Sequence, residues 1–181
     1  MSEVKTIENL EKSTIATFKE DYVYQKDLTE KLDKLKESFT QETINEIVLW
    51  KVNRYVKMTD AALNLVNKNG DTDSEIDIEL TKEVLRKLLA LKGVRIALAS
   101  TILRFKNPTV YQIIDQRVYR FIHPSGAELK NSTDIEETIL MYLEYLDRLK
   151  KTCSKFKISF KESDRILYLM DKRFNKEQKL K

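Results

Sequence analysis

Residues 88–122 read LLALKGVRIALASTILRFKNPTVYQIIDQRVYRFI, and how this run is parsed decides the fold. An apolar-periodic stretch ends at Gly93, a residue suited to the left-handed conformation that closes helices. A second helical run over residues 95–105 stops before Pro108, because a proline disfavours helix at the residue preceding it. Two helices joined by a turn of a few residues form a helical hairpin, here over residues 82–105. Beyond it the spacing predicts a short helix over residues 111–122.

Working outward, apolar spacing predicts helices over residues 7–24 and 28–39. Thr40 is a candidate N-cap for a longer helix reaching Met58, with Ile44, Ile47, Val48, Leu49, Val52, Tyr55 and Val56 on its buried side. The acidic, glycine-containing stretch NKNGDTDSEID at residues 67–77 reads as a surface loop between lobes. Downstream, Ser132 or Thr133 caps a helix running from Asp134 to Phe156, with acids in its first turn and lysines in its last, as the helix dipole prefers. A final helix begins near Ser163, and the closing residues NKEQKLK are expected to fray. Three glycines and two prolines in 181 residues leave little turn chemistry for many short strands. The expectation is an all-α fold, a compact two-lobed helical domain spanning residues 1–181.

Hydrophobic residues at 41% and charged residues at 34% are ordinary for a globular protein. Cys153 stands alone, which excludes disulfide frameworks, thiolate zinc sites and iron-sulfur clusters within one chain and points to a reducing compartment. No stretch approaches the ~18 uninterrupted apolar residues of a membrane span, and the acidic N-terminus lacks a signal-peptide core, so a cytoplasmic location without membrane partners is expected. Nothing resembles a phosphate-binding Walker loop, a dinucleotide fingerprint or a metal-ligand cluster, so no cofactor or metal is expected. His123, the single histidine, excludes mechanisms needing two.

Charge is segregated along the chain. Residues 81–120 carry a net of +7 and residues 148–181 a net of +8, leaving −11 for the remainder of a chain whose total is +4. Folded so that the basic segments, including the C-terminal helices over residues 134–176, share a side, the protein would suit a polyanion; the plainer reading is a set of solvated helix faces.

The segment 88–122 resembles the helix-hairpin-helix segment of the HhH-GPD superfamily of base-excision DNA glycosylases, the group of the 8-oxoguanine glycosylases and endonuclease III. That pattern is a helix ending in Leu-Pro-Gly-Val-Gly, a second helix with alanines near its start, a proline, then an apolar stretch leading to an aspartate. Leu91, Gly93, Val94, Ala99, Pro108 and Asp115 fall in the corresponding places. The resemblance implies duplex DNA as partner, with the hairpin backbone on a phosphate and the aspartate beside the pocket of an extruded nucleotide. Lys92, Gly93, Val94, Arg95, Arg104 and Arg117 become candidate DNA contacts, holding the backbone irrespective of sequence. Asp115 becomes the candidate catalytic carboxylate, suited to an oxocarbenium-like transition state. The plainer alternatives are Gly93 as a simple helix C-cap, and Asp115 as the N-cap of the following helix or the ion partner of Arg117 or Arg120.

Departures from the pattern narrow the chemistry. The lysine that serves bifunctional members as Schiff-base nucleophile corresponds to Ala97, which points to hydrolysis alone. Arg95 stands at the second hairpin glycine, Lys92 at the prolyl position, and the four-cysteine loop of the endonuclease III branch is absent. Lys51, in the sequence WKVNR, is the one lysine outside the hairpin considered as a substitute nucleophile, a role that requires a depressed pKa. Trp50 beside it is expected in the core. The reading is thus a hydrolytic DNA glycosylase of base-excision repair, with two alternatives: a DNA-binding helix-hairpin-helix module without chemistry, and a helical protein-interaction domain.

Overall fold

The computed structural model describes residues 4–10, 18, 26–51, 56, 58–70, 73–130 and 132–180. Among these residues there are eight α-helices, two 3-10 turns (Ile7–Asn9 and Phe160–Glu162) and no strand. The helices are α1 Lys26–Asp33, α2 Gln41–Lys51, α3 Asp60–Lys68, α4 Ile78–Leu89, α5 Ile96–Lys106, α6 Gln116–Ile122, α7 Ile135–Phe156 and α8 Ser163–Phe174. None of the described helices is long and apolar enough to cross a membrane.

α5 sits at the centre. Every one of its residues except Ala97 is buried, and it packs against α2, α3 and α4. A helix apolar on all sides needs cover on all sides, and its few polar groups must be paired. The Ser100 and Thr101 hydroxyls donate to the Ala97 carbonyl at 3.0 and 2.6 Å, and the Asn107 amide after the helix donates to the carbonyls of Gly70 and Asp73 at 2.7 and 3.0 Å. α7 lies against α4 and α6, and α8 against α6.

Several sequence expectations change at the ends of elements. The first helix falls mostly outside the described residues, and what is described of it is the turn Ile7–Asn9. The helix expected over residues 28–39 ends at Asp33 because the Asn67 side chain takes both backbone groups of Phe39, its Oδ1 accepting from Phe39 N–H at 2.8 Å and its Nδ2 donating to Phe39 O at 3.2 Å. Thr40 does cap α2, accepting from Thr43 N–H at 3.3 Å. Residues 52–55 and 57 of that expected helix lie outside the described residues; Val56 and Met58 are not helical, and the Gln41 side chain donates to Val56 O at 2.7 Å and accepts from Met58 N–H at 2.9 Å beside the start of α2. Leu49, expected on the buried side of α2, is instead 54% exposed, because the neighbouring elements cover only the face that carries Ile44, Ile47 and Val48. α3 was not anticipated; Thr59 opens it by accepting from Ala62 N–H.

Further along, Asp134, rather than Ser132 or Thr133, caps α7 by accepting from Glu137 N–H at 2.9 Å. Ser163 lies inside α8 and donates back to Phe160 O at 2.8 Å. The expected fraying after α8 is also corrected. Asn175 is buried, hydrogen-bonds Lys5 and Asp171, and the Gln178 carbonyl accepts from Arg120 at 3.1 Å.

Candidate functional site

Asp115 gets its position from the segment before it. Residues 110–114 are buried but not helical, which corrects the helix expected from residue 111. A buried segment outside any helix must still find partners for its backbone, and several of these are side chains from two helices. Tyr142 and Tyr145 of α7 donate to the carbonyls of Gln112 and Ile113 at 2.9 and 2.8 Å, while the Ser100 hydroxyl of α5 accepts from Ile114 N–H at 3.1 Å. Burial holds both phenols well above the usual tyrosine range, so they remain neutral donors, and for Tyr145 the nearby Asp164 and Asp115 carboxylates add to the effect. Asp115, with extended φ −122 and ψ 144, then opens α6, its Oδ1 accepting from Arg117 N–H at 2.8 Å. The simple N-cap reading of Asp115 is therefore realised in the structure, while its surroundings leave it facing a cavity.

That cavity, about 230 Å³, is lined by Asp115 and Ile113, by Trp50 and Lys51 at the end of α2, and by Asp164, Arg165 and Tyr168 on α8. The two candidate catalytic residues, 64 positions apart in sequence, are thus brought to one place. Trp50 is 4% exposed, as expected of a core tryptophan; its indole N–H donates to Thr29 Oγ at 2.6 Å, and its ring meets Phe105 edge-on at 5.4 Å. A wall so fixed holds its shape when the cavity is filled.

Asp164 and Tyr168 were not among the site residues expected from sequence, where Asp164 with Arg165 reads only as a tie of the last helix to the domain. Asp164 and Tyr168 lie four residues apart on α8, the spacing that puts two side chains on one helix face, and that was the available signal. Asp164 is 6% exposed; its Oδ1 accepts from Arg165 N–H at 2.8 Å and its Oδ2 lies 4.0 Å from Arg104 Nε. Two carboxylates, a lysine, an arginine and two aromatic rings thus surround a small void, a lining that suits a flat group with hydrogen-bond donors.

The expected phosphate contacts fall into two groups. Lys92, Gly93 and Arg95 are exposed on the turn between α4 and α5. Gly93 has φ +85, a conformation that L side chains rarely adopt. Arg95 opens α5 without giving its first turn a side-chain hydrogen bond, which leaves that helix end open to an external acceptor. Arg104, Arg117 and Val94 differ. Arg104 is a correction: its side chain is 4% exposed, pairs with Asp33 and donates to Lys161 O, so it ties α5 to α1 and to the start of α8 rather than facing solvent. Its charge is buried because acids from distant positions come to meet it. Val94 is buried as well, and its N–H already serves Leu91 O at 3.1 Å. Arg117 keeps 28% side-chain exposure while its Nη1 contacts Asp171 at 3.2 Å.

Among the described residues no group of histidine, cysteine or carboxylate side chains is placed to hold a metal ion. Cys153 is buried, and burial pushes its thiol up to about 11, which keeps it protonated and unreactive near neutrality. Comparison with family models, with curated proteins and with solved structures found no match for the chain.

Proposed function

We propose that the protein binds duplex DNA and hydrolyses the N-glycosidic bond of a damaged base held in the cavity at Asp115. The observation that carries the reading is the convergence of Asp115 and Lys51, both chosen from sequence, on one cavity with an aromatic wall. In this reading α4, the turn at Gly93 and α5 form the helix-hairpin-helix, and the cavity lies between two lobes. Lys92, Gly93 and Arg95 hold a backbone phosphate. Trp50 and Tyr168 contact the flat faces of an extruded base, whose flipping is least unfavourable for damaged pairs. Asp164 accepts from its N–H groups. The C1′–N bond breaks, the base leaves with the electron pair and takes up a proton, and water adds to C1′. Asp115 stabilises the cationic sugar and accepts the proton of that water.

The experiment is base release from duplex oligonucleotides carrying oxidised, alkylated or deaminated bases, with and without alkali. Release that needs alkali for strand scission is expected, since Ala97 occupies the lysine position. Asp115→Asn preserves the helix cap, because asparagine and aspartate cap equally well. It is expected to slow release by on the order of 10²–10³-fold. Undiminished release would overturn the mechanism, and strand cutting without alkali that disappears in Lys51→Gln would transfer the chemistry to that amine. A second reading, a DNA-binding module without chemistry, draws support from the occupation of Asp115 Oδ1 by a backbone N–H. It predicts salt-sensitive binding and no base release.

A further inference from the structure

A second and larger cavity, about 460 Å³, lies between the end of α6 and the middle of α7 and shares none of the residues that line the cavity at Asp115. Its volume falls in the range of about 300–1,000 Å³ typical of small-ligand sites. One wall is aromatic. The Tyr119 and His123 rings stack at 4.0 Å with 26° between their planes, and Tyr145 lies nearly parallel to Tyr119 at 6.2 Å. His123 Nδ1 is 2.6 Å from Tyr119 O; a carbonyl only accepts, so Nδ1 carries the proton and Nε2 keeps its lone pair. Burial holds the imidazole below its usual pKa, with Arg148 adding to the effect.

The opposite wall is charged and mostly self-paired. Lys151 bonds Asp147 at 2.6 Å and Lys155 bonds Glu8, whereas Arg148 and Glu144 form no ion pair among the described residues. Both are exposed and line the cavity one helical turn apart. The unspent groups are therefore a π face, a neutral ring acceptor, a carboxylate acceptor and a guanidinium. Taken together, they match a planar heteroaromatic ring with N–H donors, joined through a hydroxyl-bearing linker to an anion.

We infer that this cavity is a binding site for a free nucleoside monophosphate. The base packs on the Tyr119–His123 stack, Glu144 accepts from base or ribose donors, and Arg148 takes the phosphate. The site does not depend on the chemistry proposed at Asp115.

The test is titration of the full chain with guanosine and adenosine monophosphates, followed through the aromatic NMR signals of Tyr119 and His123, beside arms with inorganic phosphate and a single-stranded trinucleotide. Saturable shifts with a dissociation constant at or below about 1 mM are expected for at least one mononucleotide. Arg148→Glu should weaken that binding at least about tenfold, a loss near the lower end for one charge-assisted contact, and leave base release unchanged. Arg148→Gln provides the same comparison should the charge reversal disturb folding. Absence of saturable shifts, equal affinity for phosphate alone, equal affinity in both Arg148 variants, or shifts with the trinucleotide but with neither mononucleotide would each overturn the assignment.

Discussion

Asp171→Asn is the substitution that most directly examines how the site is held. Asp171 of α8 is fully buried and accepts from Arg120 Nε at 2.7 Å, Arg120 Nη2 at 2.8 Å, Arg117 Nη1 at 3.2 Å and Asn175 Nδ2 at 2.8 Å. Arg120, itself 2% exposed on α6, has no second carboxylate in contact among the described residues. The asparagine keeps the shape, removes the charge, and turns one acceptor into an NH₂ facing a guanidinium. Breaking a buried pair by neutralising one partner is worth about 3–5 kcal/mol, because the other charge stays buried without compensation. At roughly 2–4 °C per kcal/mol for a chain of this size, the melting temperature should fall by roughly 6–20 °C. Urea unfolding followed by circular dichroism reads the free energy. Replacing both members, Arg120→Met with Asp171→Leu, should be less damaging than Asp171→Asn alone. Because α6 begins at Asp115 and α8 carries Asp164 and Tyr168, the single variant should also widen the cavity and reduce base release. A loss under about 1 kcal/mol, or a double variant worse than the single, would refute the view that this pair clamps α6 to α8.

Two further outcomes follow from other parts of the fold. Gly93→Ala meets no atom within 4 Å, so its effect comes from φ +85 alone; a loss of about 1–2 kcal/mol in urea unfolding, with weaker DNA retention, is expected. Cys153, with its thiol raised from 9.0 to about 11, contributes stability that is fully present below pH 9 and lost as pH rises through 11. At 1.36 kcal/mol per unit this amounts to roughly 2–3 kcal/mol, so Cys153→Ala should show a shallower loss of stability than the parent across that window, while the Tyr111 phenol, pushed up to about 12, continues the decline in both.

The parts of the architecture legible in the sequence were those with local causes. Gly93 and Pro108 delimit α5, and Thr40 opens α2, because each acts on its own neighbours. Elements decided by distant partners were misread. The buried run 110–114 has the composition of either a helix or an extended core segment, and the tyrosines of α7 take the carbonyls that a helix would have used. Arg104 reads as a surface cation until Asp33 and Asp164, 71 and 60 residues away, are seen beside it. At the site, Asp115 and Lys51 were identified from motif and chemistry, whereas Asp164 and Tyr168 lie on a final helix for which the sequence offered only its start near Ser163 and its basic charge.

The enclosure of α5 also sets a hierarchy of motion. Beyond its first turn the backbone amides of α5 are enclosed, so their hydrogen exchange must await opening of the surrounding assembly. The exposed turn that introduces the helix, at Lys92 and Gly93, is free to fluctuate on far shorter timescales. The linkage through Ser100 nevertheless joins the slow helix directly to the residue before Asp115. An exposed turn and a fixed carboxylate are thus mounted on the same rod, and movement at one end need not disturb the alignment at the other.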